Sequence, residues 1–486
     1  MSASLIQLAS RGTEDNYLIG KPQFTLFKFV FKRHTNFSIQ QIPIKFSTNT
    51  DFNNRVSLNV DKFGDMIYKM NLYITLPELP QLYNIDGTKN EIIKYAWSKN
   101  IGHVIINYID IEINDVLIDK QYGEWLHIYH NIKDDDKNID KLLGNIPDLY
   151  NFTSSKPEYK LIVPLYFYFN NDVSLSIPLL DGLKISINLE LNELSKCLII
   201  APSHYIDIID PFVNLNVGDL LVQNRNNNSQ FVFGKFIYFD QNKKRLYYQQ
   251  STYETFDDSN FICSKDFIIT PYDKTYTYII NNQPNIKLKN CFLLVDYIFL
   301  DIEEKNTIIN NKNSVVITQI QKNTLYSSNS NYIENKLNFT NNVLYICWFS
   351  QYKILRESFN NDYFNFSNIS KDIYDLLANN LFTNKNTIIN KCNILFNNNY
   401  RISDINSKYY NLIENLNKFN KHKSNINIYS FSIYPLMYQP SGCCDFKEIS
   451  DVKIQLEYNK NLMINSEIVF QCYAMNYKLI NYADFI

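Results

Sequence analysis

The chain has 486 residues, with 45% hydrophobic, 15% aromatic and 20% charged side chains; this excludes a disordered polymer and provides apolar surface for two or three sizeable cores. Its formal charge is -2 and its pI about 6.3, with Lys and Arg scattered among Asp and Glu, so direct nucleic-acid binding is not expected. No apolar run nears the ~18 residues that span a bilayer, and residues 1–10 lack the basic start and long apolar stretch of a secretory signal, which predicts synthesis in the cytosol.

In chain order, the first clear element is a hairpin. Ile109, Ile111 and Ile113 alternate with Asp110 and Glu112, Asn114-Asp115 supplies a turn pair that tolerates positive φ, and Val116-Leu117-Ile118 returns. Trp125, Tyr129 and Ile132 then recur at helical spacing. Residues 184–191 alternate polar and apolar without error, predicting a strand with one buried and one solvated face. Between about 195 and 290, Phe236 to Phe239, the polar run 240–244 and Leu246 to Tyr248 read as a further hairpin. Residues 371–381, with Ser370 as N-cap, form a second helix candidate. A third places Tyr409, Leu412, Ile413, Leu416 and Phe419 on one apolar face. Short, turn-bounded strands dominate, as in a β-sandwich, and the helices read as inserts in loops.

The order of elements occurs twice. Strand, Asn turn, strand and helix over 111–129 recur over 393–416, with Ile394-Leu395-Phe396, an Asn turn, Arg401-Ile402 and Tyr409. Pro178-Leu179 precedes Lys184-Ile185-Ser186-Ile187 much as Pro435-Leu436 precedes Lys453-Ile454-Gln455-Leu456. After these strands the copies differ in spacing, and an insertion at about 195–290 in the first accounts for the difference. Insertions of that length carry function or decorate a surface.

Chemical motifs are sparse. Glu124, His127 and His130 lie three apart on a helix, a spacing that spreads them around the axis and argues against a shared metal. His34, His103, His204 and His422 have no Cys or carboxylate beside them in sequence. Asp296 and Asp301 flank an apolar strand and are expected in turn or edge roles, not as an acid–base pair. The eight cysteines, Cys197, Cys263, Cys291, Cys347, Cys392, Cys443, Cys444 and Cys472, form no CxxC pair and read as reduced, buried thiols, with the adjacent Cys443 and Cys444 as the alternative metal or redox site, which nothing nearby in the sequence supports. Asn-x-Ser/Thr triplets at Asn36, Asn151, Asn338, Asn365 and Asn368 read as products of an Asn-rich chain, and that richness in Asn, Ile, Lys, Tyr and Phe points to an AT-rich genome. Phosphate-loop, dinucleotide, nucleophile-elbow and zinc-helix motifs are all missing, so no catalytic, cofactor-binding or metal residue is assigned.

A set of ordered segments resembles one family. Leu8-Ala9, DNYLIGKPQFTLFK at 15–28, FKRHTNF at 31–37, GDMI at 64–67 and DKQYGEWL at 119–126 come first. VPL at 163–165 follows with Phe167 and Phe169, then IPL at 177–179, VDYIFLD at 295–301, QPSG at 439–442 and MNY at 475–477. Together they resemble the major capsid proteins of nucleocytoplasmic large DNA viruses over nearly the whole chain; the stretch 306–430 matches in isolated anchors only, and the chain is poorer in Gly than that family. The resemblance implies an all-β fold of two tandem eight-stranded jelly rolls with short helices and a long β-rich insertion in loops. Residues 1–24 would form an N-terminal arm, 25–310 the first jelly roll with the insertion at about 195–290, and 311–486 the second.

By the same resemblance the protein is a structural virion component and not an enzyme. It is expected to form homotrimeric, pseudo-hexagonal capsomers that meet neighbouring capsomers and tile an icosahedral shell. Residues 1–24, polar with an apolar patch at Leu5, Ile6 and Leu8, would contact minor capsid proteins and the internal membrane beneath. Assembly is expected in the host cytoplasm. The alternative is a divergent or minor capsid paralogue whose insertion, with Phe236, Tyr238, Tyr247, Tyr248 and Tyr253 as an aromatic platform, binds a host glycan or receptor.

Overall fold

A computed structural model describes residues 3–485 except 14, 16–18, 30–31, 85, 134–136, 226–229, 266, 281–283, 311–313, 370–381, 420–424 and 460–465. The helix expected over 371–381 with Ser370 as N-cap therefore lies outside the described residues. A short helix α1 (Ala3–Ala9) opens the chain, and of the described residues 3–36 all but Asp15 are exposed.

Eight strands build the first sandwich: β1 (Phe37–Lys45), β2 (Arg55–Asn59), β3 (Met66–Leu76), β4 (Ile106–Ile113), β5 (Val116–Tyr122), β6 (Tyr159–Pro164), β7 (Ile185–Leu191) and β8 (Asn290–Leu300). They pair as two antiparallel sheets, β1-β8-β3-β6 and β2-β7-β4-β5. Met70, Leu72, Ile74 and Leu76 alternate inward from β3 and meet Ile109, Ile111 and Ile113 of β4 and Ile185, Ile187 and Leu189 of β7 in one core. The period of two in the sequence is thus the period of the pleat. The turn predicted at Asn114-Asp115 joins β4 and β5, with φ of 47° and 63°, the left-handed pair that matches strand twist.

A second set repeats the plan: β9 (Ser314–Lys322), β10 (Tyr332–Lys336), β11 (Asn342–Tyr352), β12 (Ile389–Phe396), β13 (Asn399–Asn406), β14 (Asn427–Ser430), β15 (Val452–Tyr458) and β16 (Ile468–Asn481). Its sheets are β9-β16-β11-β14 and β10-β15-β12-β13, so each strand occupies the place of the one numbered eight lower. The correspondence extends to helices. α2 (Gly123–Lys133) follows β5, α3 (Ile302–Asn310) leads into the second half, and a π turn (Tyr409–Ile413) continuing into α4 (Glu414–Phe419) follows β13. One detail of the sequence duplication shifts. Ile177–Pro178 pairs with β3, but its equivalent on β11 is Cys444–Asp445, so Pro435-Leu436 belongs to the preceding loop.

Strand β11 is buried on both faces. Val343, Ile346, Trp348 and Tyr352 enter the second core, whereas Leu344, Tyr345, Cys347 and Phe349 join an apolar cluster continuous with the first sandwich. A sheet covered on both sides needs unbroken apolar sequence, which is what VLYICWF at 343–349 provides. The polar positions of β7 also differ from expectation: Ser186 and Asn188 are buried, because the side chains of adjacent strands close over them. Ser186 bonds Asn59 at 3.0 Å and Asn188 donates to Asp110 at 2.8 Å.

Between β7 and β8 runs a seven-stranded sheet from His204–Asp207 to Tyr276–Thr277. The hairpin read in the sequence is present as Gln230–Asp240 paired with Arg245–Gln250. One face encloses a small core of its own around Val232, Phe236, Leu246 and Tyr248. The other sends Leu220, Val222, Phe231 and Phe233 into the core of the second sandwich, so the inserted sheet is fastened to the half that follows it in sequence.

Candidate assembly site

The two halves interlock through the segment 119–126, and each residue type there has a mechanical reason. Asp119, at the middle of β5, accepts backbone hydrogen bonds from Ile320 of β9 and from Lys120, both at 3.0 Å, and one from the Gln121 amide at 3.1 Å. Burial nevertheless pushes its carboxyl up to about 6. Lys120 sits 3.4 Å from the centre of the Tyr108 ring, and Gln121 accepts from the Tyr166 amide at 3.1 Å. A Cβ on Gly123 would lie 2.2 Å from the carbonyl oxygens of both His103 and Ile106, so this position admits no side chain. Trp125, fully buried, packs 5.6 Å from the ring of Tyr473 on β16.

Glu124 is the centre of this junction. Its carboxylate is buried and pairs with the Arg356 guanidinium of the second half; Tyr473 donates to it at 2.7 Å, Tyr363 at 3.2 Å, and Lys322 lies 3.5 Å away. Burial alone would raise its pKa, but Arg356 and Lys322 outweigh that and hold it down at about 2. A charge this deep stays ionised only because it is paired and hydrogen-bonded on both oxygens. It is an anchor between the halves.

His103, His127 and His130 are brought together here, a grouping that sequence spacing did not reveal because His103 comes from a different element, the turn of helix Ile101–Val104. The His103 ring lies 5.8 Å from His127 and 6.0 Å from His130, and His127 stacks on Phe364 of the second half at 4.2 Å. Burial and the two neighbouring imidazoles keep His103 well below its usual pKa, and burial with His130 beside it pushes His127 down to about 3. Among the described residues, no group of three His, Cys, Asp or Glu side chains is arranged to hold a metal ion. All eight cysteines are free thiols; five are buried as expected, but Cys443, in the loop before the short strand Cys444–Asp445, is exposed, and Cys263 and Cys444 are only half-buried.

The remaining candidates separate. Asp296 is not at an edge: it lies within the central strand β8, buried, opposite Gln41 and Lys69. Asp301 is exposed and caps α3, accepting from the Ile302 amide at 2.6 Å. The aromatic platform of the insertion is not assembled either, because Phe236, Tyr247 and Tyr248 are buried in the inserted sheet while Tyr253 is exposed and donates to Glu357. The apolar face predicted at 409–419 divides: Phe419 is buried and Tyr409 packs half-buried against the second core, but the residues between them do not follow. Leu412, Ile413 and Leu416 are exposed, and Asn411, Glu414 and Asn415 take the buried side.

What the geometry offers is therefore a rigid, twice-repeated sandwich with interlocked halves. Two family descriptions match it: "Major capsid protein N-terminus" over residues 25–240 and "Large eukaryotic DNA virus major capsid protein" over 304–484. "Probable capsid protein 4" of Acanthamoeba polyphaga mimivirus is 30% identical over 99% of this chain and 97% of its own length. The chain belongs to the major capsid protein family of large eukaryotic DNA viruses.

A second member, the "Major capsid protein" of Phaeocystis pouchetii virus, is 24% identical over 99% of this chain and 98% of its own. Among solved structures, the Faustovirus major capsid protein superposes with a TM-score of 0.66 at 11% identity, covering 97% of this chain and 94% of the other. The capsid subunit of the PBCV-1 virus does so with 0.61 at 17% identity, covering 94% and 97%. At such low identities these likenesses speak for the fold: this capsid protein is a double jelly roll, and the DKQYGEWL segment that identifies it in sequence is the segment that locks its halves together.

Proposed function

We propose that three copies of this chain form a pseudo-hexagonal capsomer, and that these capsomers meet their neighbours to tile an icosahedral shell. The observation that supports this best is the strand-for-strand repetition: a subunit made of two like sandwiches contributes two like sides, and three subunits then give six. On this reading the protein is the major structural component of the virion capsid and its working chemistry is burial, not catalysis. An obligate interface of more than about 2,000 Å² carries an apolar contribution of tens of kcal/mol before entropic costs.

The chain divides in this proposal into an arm, 1–24, a first jelly roll with its insertion, 25–310, and a second jelly roll, 311–486. The arm lies on the inner side of the shell and meets minor capsid proteins and the internal membrane; assembly takes place in the host cytoplasm. No residue is assigned to catalysis, a cofactor or a metal, and nucleic acid is not bound directly. Mass measurement of the purified protein tests the first step, with a trimer expected and a stable monomer at micromolar concentration counting against it. Deleting residues 1–20 should leave trimers intact and stop lattice growth; normal particle yield from that truncation would remove the role given to the arm.

A further inference from the structure

The two sandwiches repeat each other, but they are not equally covered. Trp125 and Tyr129 of α2 are buried in one cluster with Tyr345 and Tyr473, which lie on the face of the β16-β11 sheet turned away from the second core. The helix in the place of α2 in the second half, 409–419, has no such cover. Leu412 stands as far beyond the Asn397-Asn398 turn as Tyr129 stands beyond Asn114-Asp115, yet it is 42% exposed, and Ile413 beside it 50%. The adjoining loops differ in the same way. Between β6 and Ile177–Pro178, Phe167, Tyr168 and Phe169 are fully buried, with the Tyr168 hydroxyl 3.0 Å from that of Tyr482 in the second half. Between β14 and Cys444–Asp445, by contrast, Ile433, Tyr434 and Met437 lie open. The edge strands follow suit: β5 meets β9 where Asp119 accepts from Ile320, whereas Tyr400 of β13 and Phe37 and Ile39 of β1 are exposed. Each contact that the first half makes to the second thus has a bare apolar counterpart, and clustered exposure of this kind marks a surface that something else covers.

We propose that the second half of one copy docks on the first half of the next by repeating this internal junction, with the helix 409–419 seated through Leu412 and Ile413 on the β8-β3 sheet. The bulges fix the place. Lys69 and Tyr345 each follow the bulge on their strand, and aligning them sets Leu294 where Tyr473 stands in the second half. On the same face beside Leu294, Tyr73 and Phe292 stack at 5.0 Å and are only half-buried, which gives the two side chains an apolar seat. Leu416 takes the place of Lys133, which turns to Asn171 of its own half at 3.0 Å, and so stays outside the contact. A head-to-tail contact of this kind leaves each copy one helix face and one sheet face, and a closed ring uses both. The choice of a second copy as occupant rests on the capsomer reading and on this complementarity: each bare surface is the counterpart of one that the chain itself already covers.

Mass measurement of full-length variants across a dilution series tests this. L412E/I413E should weaken trimer formation about 100-fold or more, because the contact would bury carboxylates without partners. I39E, on the opposite side of the contact, should weaken it at least about tenfold, and so should the uncharged pair L412S/I413S. Leu416→Lys, one turn farther along the helix, should leave the trimer intact. All these side chains are exposed in the subunit, so far-UV circular dichroism equal to the parent's is expected; if L412E/I413E loses its fold, L412S/I413S carries the test. A trimeric parent whose L412E/I413E, L412S/I413S and I39E variants stay trimeric at the same dilution overturns the docking mode and leaves the capsomer standing, whereas a monomeric parent overturns both. Dissociation by Leu416→Lys to the same degree as by L412E/I413E overturns the assignment of the contact to Leu412 and Ile413.

Discussion

Arg356, from the turn after β11, places its guanidinium on the carboxylate of Glu124 at the start of α2, and the two belong to different sandwiches. Both side chains are largely buried, at 17% and 8% exposed, so neither charge has bulk water to return to. The pair therefore acts as a latch between the halves. Glu124→Gln or Arg356→Met alone should lower the unfolding free energy by about 3–5 kcal/mol, the cost of stranding one buried charge. The double variant should recover a substantial part, because no unpaired charge of this pair remains, although Lys322 and Tyr473 lose a partner in it. Urea unfolding at one fixed protein concentration measures both. Single variants that cost less than about 1 kcal/mol would mean that water reaches the pair.

The region around this latch shows how far the sequence could be read. The hairpin at Asn114-Asp115 and the strand repeat were legible, because turn chemistry and a period of two are local properties. Contacts made across the junction were not: Arg356 and Tyr473 are hundreds of residues from Glu124 and nothing local couples them. His103 was invisible for the same reason, as its helix meets α2 only in the folded chain. The buried polar face of β7 was misread as solvated because alternation reports which side is apolar, not what covers the other side.

Acid should act on the histidine group before it acts on the latch. His103 and His127 are neutral in the fold, with pKa values held below their ordinary 6.5, whereas the unfolded chain takes up protons there. Their contribution is complete above about pH 6.5 and is lost as pH falls toward the folded value, about 3 for His127. Glu124 has the depressed pKa of a paired carboxylate, so its contribution is lost only between about 4.5 and 2. Asp119 works the other way: raised to about 6, it binds a proton in the fold first and adds stability as pH drops from 6 toward 3.8. Asp362 near His127 and Asp140, 3.9 Å from His130, moderate the histidine effect. Unfolding midpoints between about pH 7 and 4.5 should fall for the parent, fall less for His127→Leu and fall more steeply for Asp119→Asn. Three parallel curves would contradict the assignment.

Gly123 offers a test of geometry without charge. An added methyl at this position meets two backbone oxygens at 2.2 Å, and backbone cannot swing aside as a long side chain can. Gly123→Ala should destabilise by at least the upper end of the usual ~1–3 kcal/mol for overpacking, even though alanine favours helices. Thermal unfolding and soluble yield would register it. A melting temperature equal to the parent's would show that the strand–helix corner relaxes freely.

The helix at 409–419 allows burial and sequence pattern to be set against each other directly. Across the π turn at Tyr409–Ile413 and α4, Leu412, Ile413 and Leu416 face outward, whereas Asn411, Glu414 and Asn415 are buried beside Tyr410 and Phe419. The buried polar groups are engaged: the Asn415 amide donates to the Asn411 carbonyl at 2.7 Å and the Ile426 carbonyl at 3.3 Å, and Glu414 accepts from the Ser430 amide at 3.2 Å. Burial that followed the apolar pattern of the sequence would make Leu416→Lys the damaging change and Asn415→Leu the mild one. The structure requires the reverse. Leu416→Lys should leave the stability of the folded subunit within about 0.5 kcal/mol, and Asn415→Leu should cost about 1–3 kcal/mol by leaving buried carbonyls without a donor. Denaturant titration of the two variants side by side decides which face is buried, and a larger loss for Leu416→Lys would put the apolar side chains in the core.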